Sequence, residues 1–164
     1  MAISSIPMES CTADCIIEQE HYCDALRDEL LPLIVRNWRE SPSYVPGVDA
    51  DPDWQRYRLL DEAGAVLCLT VRKAGALVGY LVAFSHSSLH HRTIRCAQID
   101  GFYILPAFRF AARRLYRMAE DHFIAAGITH VGWTVDRNSR LQALAQALGF
   151  RADETVMEKL LCAL

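Results

Sequence analysis

A carboxylate stands inside an apolar stretch of this chain. Asp100 interrupts a run that includes Ala97, Ile99, Phe102 and Ile104. Neighbouring backbone or Arg95 can satisfy such a group, or burial can raise its pKa toward the range where it takes and returns protons. Three histidines, His86, His90 and His91, crowd a polar segment just upstream. His86 and His90 are four apart, which on a helix would aim both at one metal. The surrounding pattern is strand and loop with no third ligand, so no metal site is expected. The histidines, His91 foremost, then either serve as a neutral imidazole base at a pocket mouth or stand exposed on a loop. Arg109, Arg113 and Arg117 recur at i, i+4 and i+8, with Arg114 beside them. One helix face of that kind grips phosphate through charge-assisted bonds, contacts nucleic acid, or is simply solvated.

The composition narrows these options. The 164 residues suit one domain with a proper core. Seventeen basic against 20 acidic residues give a net charge of −3, which counts against nucleic acid as the partner of the arginine face. No apolar run reaches the roughly 18 residues that span a bilayer, so no membrane role is expected. The first basic residue is Arg27, which leaves no charged n-region for a secretory signal. Six cysteines show no CxxC pair and no zinc-ribbon spacing. Cys68 and Cys96 lie in strand-like runs, where cysteine acts as a small hydrophobe. A reduced, cytoplasmic protein is the expectation.

The elements that must position these groups follow from periodicity. Residues 1–13 read as a loose tail and 14–164 as a single domain. Cys15 to Glu20 can form a first strand. From His21 to Trp38 the apolar residues recur at helical spacing, with Pro32 expected to kink or split that helix. Ser41 to Asp53, with Pro42, Pro46, Gly47 and Pro52, reads as a loop, and Asp53 caps a short helix through Leu60. Strands are predicted over Val66–Arg72, Leu77–Ser85 and Ile94–Leu105, the first two joined by a turn at Lys73-Ala74-Gly75. Phe108 to Ala126 gives the strongest helical pattern, with Gly127 at its stop. Strand Ile128–Val135, helix Ser139–Leu148 and strand Thr155–Leu161 complete the order. Such an order specifies a mixed sheet with helices on both faces.

That order resembles the GCN5-related N-acetyltransferase (GNAT) family over roughly residues 15 to 161. Three features carry the resemblance. Tyr103-Ile104-Leu105-Pro106-Ala107-Phe108-Arg109 reproduces an aromatic-hydrophobic-x-Pro-x-aromatic-Arg strand end. Asn138 follows the next strand, and the Phe150 of Leu148-Gly149-Phe150 comes twelve residues after it. Asp51-Pro52-Asp53-Trp54 with Tyr57, and Leu89-His90-His91-Arg92, are further similar to acetyltransferase-like proteins of tailed phages and prophages. The resemblance implies an α+β fold: a mixed, mostly antiparallel sheet of about six to seven strands flanked by helices.

It also implies acetyl-CoA as co-substrate. The strand end would contact the cofactor through Ile104 and Leu105, and the turn through Phe108, Arg109, Ala111, Ala112, Arg113 and Arg114. A helix N-terminus there presents N–H groups and a favourable dipole to the pyrophosphate. Glycines normally let the backbone approach the phosphates, and this turn has none: it reads Arg109-Phe110-Ala111-Ala112-Arg113-Arg114. It is also about two residues short of the family pattern. The arginines would then compensate by gripping the phosphates. Asn138 would contact the pantetheine or order its loop, and its side chain can also cap the last helix.

For the chemistry, the resemblance makes Asp100 or a histidine the base that deprotonates a small-molecule or peptide amine, which attacks acetyl-CoA directly. The family's acid is often a tyrosine seven residues after the asparagine, where this chain has Ala145. Tyr103 is the nearest substitute, although its phenol can equally pack in the core with its hydroxyl at the surface. Missing glycines and Ala145 leave a second reading open, a catalytically inactive binding or interaction module. The apolar Leu160 to Leu164 end suits a homodimer interface.

Overall fold

The computed structural model of the chain describes residues 15–41 and 47–152. The predicted tail, the strand at 155–161 and the apolar C-terminal end lie outside them.

Five strands form one open sheet in the order β1-β2-β3-β4-β5. They are β1 (Cys15–Gln19), β2 (Val66–Lys73), β3 (Ala76–Ser87), β4 (Arg95–Ile104) and β5 (His130–Trp133). The first three pairings are antiparallel and β4·β5 is parallel. The described residues thus supply five strands of the six to seven expected. β2 and β3 are joined by the turn foreseen at Ala74 and Gly75, both at positive φ, the mirror-image geometry that matches strand twist.

Helices cover both faces. α1 (Asp24–Glu40) and α2 (Trp54–Glu62) lie on one side, where Leu26, Leu30 and Leu33 bury against Cys68, Tyr80 and Val82. α3 (Ala112–Ala125) occupies the other face, with Leu115, Tyr116, Ala119 and Phe123 in the main core beside Leu69, Leu81 and Ile99. α4 (Arg140–Ala147) packs Leu141 and Leu144 against the same core.

The proline expected to kink or split α1 does not split it. Pro32 sits inside one 17-residue helix. Leu30 and Leu33 on either side of it are anchored to the sheet, while Pro32 and Asp28 are exposed. Water can therefore reach the Asp28 carbonyl that the proline leaves without an N–H partner. α2 begins as read, with the Asp53 carboxylate accepting from the Arg56 N–H at 2.9 Å.

A polar knot ties β1 to β2 and α1. Arg72 donates to Glu20 at 2.7 and 3.1 Å and to Glu29, and Thr70 also donates to Glu20. The four described cysteines, Cys15, Cys23, Cys68 and Cys96, are free thiols.

Candidate functional site

The site begins with a fault in the β3–β4 ladder. Val82 pairs with Gly101 and Ala83 with Ile99, so Asp100 has no partner across the strand. It is the extra residue of a β-bulge, and it resets the alternation. Ala97 and Ile99 face the α3 core before it, Phe102 and Ile104 face the same core after it, and Tyr103 joins the α1 side. Asp100 is thereby turned into a cavity on the α1–α2 face. The expected burial is not found: Asp100 is exposed to that cavity.

The cavity has a volume of about 930 Å³. Its floor is β3 and β4; its walls are α1, the 48–53 segment and α2. Asn37, Trp38, Tyr57, Tyr80 and His86 line it together with Asp100. Tyr80 is 2% exposed, and its hydroxyl accepts from the Asn37 amide at 3.2 Å. Burial, with Asp100 adding to it, drives the Tyr57 and Tyr80 phenols well above the ordinary tyrosine pKa, so both stay protonated. Of the histidines, His86 borders the cavity because β3 runs two residues past its predicted end. His91, the favoured candidate base, is an exposed residue of the β3–β4 connection and does not line it.

Tyr103 is engaged elsewhere. It is buried on the α1 face, and its hydroxyl donates to Glu40 at 3.0 Å, the carboxylate that also pairs with Arg36 at 2.7 Å. Burial chiefly, and the bond to Glu40, raise its pKa.

Beside the bulge the sheet opens. The β4–β5 pairing ends at Ile99–Trp133, while β4 continues to Ile104 along β3 alone. From Asp100 to Ile104 the β5-side edge of β4 has no strand partner among the described residues, so its N–H and C=O groups can face a ligand strand. Phe102, Tyr116 and Phe150 pack around Trp133 with ring centroids 5.0, 6.1 and 5.7 Å away.

The turn after β4 departs from expectation. Pro106–Ala111 is a 3-10 helix that runs directly into α3, so the helical segment begins two residues before Phe108 and its first turns are not α-helical. Several backbone donors here are engaged within the protein: Leu105 N–H goes to Val78 O, Phe108 N–H to Leu105 O, and Ala112 N–H to Arg109 O. Pro106 has none to give. An open, glycine-rich loop would leave such groups free for phosphate; this wound turn does not.

The arginines also separate. Arg109 lies in the 3-10 helix, off the α-helical register shared by Arg113 and Arg117, and its charge is felt by Glu40 and Tyr103 at the end of α1. Arg114 reaches to the Cys15 carbonyl at 3.3 Å. Arg113 and Arg117 are exposed. Ala111 is fully buried against the core, and Ala112 is partly so.

Asn138 does not cap α4 through its side chain. Ser139 does, its Oγ accepting from Gln142 N–H at 3.0 Å. Asn138 takes the left-handed conformation at φ 58° just before the cap, and its N–H donates to the Gln142 side chain at 2.6 Å. Ala145 is buried, with its carbonyl accepting from Phe150 N–H.

Asn37 and Tyr80 were not foreseen. Asn37 had a signal, since it continues the Leu26, Leu30, Leu33 stripe by one helical step. Tyr80 is a core residue of an apolar strand, and only the tertiary fold brings its hydroxyl to a cavity wall.

Residues 24–150 match the model of the Acetyltransferase (GNAT) family, and the chain belongs to that family. No protein of curated function matches it in sequence. Among solved structures it resembles an aminoglycoside acetyltransferase from an uncultured soil metagenomic sample (18% identity, TM-score 0.72), covering 92% of this chain and all of that one. A ribosomal-protein-alanine N-acetyltransferase from Brucella melitensis biovar Abortus 2308 is similar at 19% identity and TM-score 0.67, over 91% and 100% of the two chains. AAC(6')-Iy in complex with the bisubstrate analogue CoA-S-monomethyl-acetylneamine is similar at 18% identity and TM-score 0.69, over 92% and 100%. At these identities the likeness is one of fold.

Proposed function

We propose that this protein is an acetyl-CoA-dependent N-acetyltransferase that moves the acetyl group directly to an amine, with no covalent enzyme intermediate. The observation that carries this reading is the position of Asp100. It is the bulged residue on the cavity floor, one step beyond the last β4–β5 pair. An amine held in the cavity would therefore meet a carboxylate where the free edge of β4 begins.

The fit to acetyl-CoA divides in two. The free edge of β4 from Asp100 to Ile104 suits the amides of a pantetheine arm, which can bond to it as a strand does. The 3-10 turn does not suit a pyrophosphate by backbone donation. Arg113 and Arg117, with Arg109 at the turn, would hold the phosphates by side chain instead. Bound acetyl-CoA supplies an activated thioester acyl group. Asp100 takes the proton from the ammonium of the acceptor and frees its lone pair. Tyr80 and Tyr57 keep their protons and shape the cavity. With Ala145 in place of a tyrosine and Tyr103 bonded to Glu40, the leaving thiolate takes its proton from solvent.

Isothermal titration of reduced protein with acetyl-CoA, and with coenzyme A for comparison, tests this. Micromolar binding of both supports the reading and opens an acceptor screen. No binding of either overturns it, and the closed 3-10 turn then favours a GNAT-fold module without catalysis.

A further inference from the structure

Transfer to an amine calls for one carboxylate, and the cavity has four. Asp49, Asp51 and Asp53 enter from the segment before α2, and Asp100 from β4; Arg56 is the single guanidinium among the lining residues. Asp53 is occupied as the α2 cap. Asp49, Asp51 and Asp100 form no ion pair with another described residue. The lining also carries four aromatic rings, Trp38, Tyr57, Tyr80 and Phe84. Aromatic faces attract cations, and more strongly where water is excluded. The buried Tyr80 hydroxyl accepts from Asn37 and has a second lone pair with no other donor among the described residues, which an ammonium N–H can use. The volume of about 930 Å³ is near the upper end for a small-molecule site and far exceeds one ammonium group.

We propose that the acceptor is a small molecule with two or more protonated nitrogens, one amine meeting Asp100 and a further cation drawn to the Asp49 and Asp51 side of the cavity. This rests on the acetyltransferase reading for the role of the first amine only. Amines that also carry a carboxylate are disfavoured, since Arg56 alone offsets the acidic lining. Linear polyamines and amino sugars share the required chemistry, and the test separates them.

Isothermal titration at low salt, with and without coenzyme A, would compare n-butylamine, 1,4-diaminobutane, spermidine and neamine. Affinity is expected to rise about tenfold or more from n-butylamine to at least one of spermidine and neamine, which tells a linear from a ring acceptor. The double substitution Asp49→Asn/Asp51→Asn should remove most of that gain, leave n-butylamine binding unchanged, and leave Tm unchanged because both residues are exposed. Equal affinity for monoamine and polyamines, no polyamine binding with or without coenzyme A, or a gain untouched by the double substitution would each overturn the proposal. Polyamine binding without coenzyme A binding sinks the transferase reading and spares this one. Coenzyme A binding with acetyl transfer to monoamines alone does the reverse.

Discussion

Gly101 and Tyr80 compete for one space across the β3–β4 pair. A Cβ at Gly101 would stand 2.8 Å from Tyr80 Cε2, closer than carbon atoms approach. The missing side chain is what lets the Tyr80 ring lie over β4 with its hydroxyl at Asn37. Gly101→Ala is expected to push the ring out of that position and cost about 1–3 kcal/mol, as overpacking does. Urea denaturation measures the cost. Acceptor affinity should fall with it, because Tyr80 and Gly101 both line the cavity.

Asp100→Asn removes a proton acceptor and keeps the shape. Asp100 is exposed and unpaired among the described residues, so Tm should stay within experimental error. The rate of acetyl transfer should drop about 10²- to 10⁴-fold, the usual contribution of a positioned base. Acetyl-CoA affinity should not change. A variant with a retained rate would move the base elsewhere, with His86 next in line.

The arginines of α3 should divide by task. Arg113→Ala and Arg117→Ala should weaken coenzyme A binding and flatten its dependence on salt, since exposed charge pairs are screened. Arg114→Ala should leave binding alone and lower stability by about 1 kcal/mol, through loss of the bond to the Cys15 carbonyl. Titrations at two salt concentrations and a thermal melt distinguish the two behaviours.

How much of this was legible in the sequence depends on whether the signal was local. The existence of α3, the Asp53 cap and the Ala74-Gly75 turn were legible because each is fixed by residues within a few turns of chain. The bulge had a local signature too: inward positions Ala97 and Ile99 step by two, then jump by three to Phe102, and resume at Ile104. A strand cannot keep one face apolar through such a jump without an extra residue. Asn138 was misread as the cap because asparagine and serine are both strong caps and stand side by side. The cavity was not legible. Its acids, Asn37 and Tyr80 come from separate elements, and only the pairing of β3 with β4 under α1 and α2 assembles them. The winding of the turn into a 3-10 helix followed from what the glycine-free sequence prefers once Pro106 starts it, which a family pattern built on glycines conceals.

The Glu20–Arg72 pair should set the acid limit of stability. The hydrogen bond from Arg72 lowers the Glu20 pKa, burial opposes this, and the bond from Thr70 adds to the lowering. A carboxylate depressed on folding stabilises above its unfolded pKa, and that stability is lost as pH falls through the folded value. Stability should therefore decline as the solution is acidified below the ordinary carboxylate pKa of 4.5. Glu20→Gln should flatten that decline and cost about 1–3 kcal/mol at neutral pH, since Arg72 then keeps Glu29 and, at 3.9 Å, Glu18, but loses its two bonds to Glu20. Urea melts of both proteins at neutral and acid pH check the sign.

In counting terms, Asp100 is one residue too many for its strand. Without it, Ala97, Ile99, Phe102 and Ile104 would fall into unbroken alternation, every core side chain keeping its place. A chain lacking only that residue is expected to melt no lower than the parent, since bulges interrupt a ladder rather than complete it. It should also have no carboxylate on the cavity floor and no transfer. Architecture and chemistry would then come apart at a single codon.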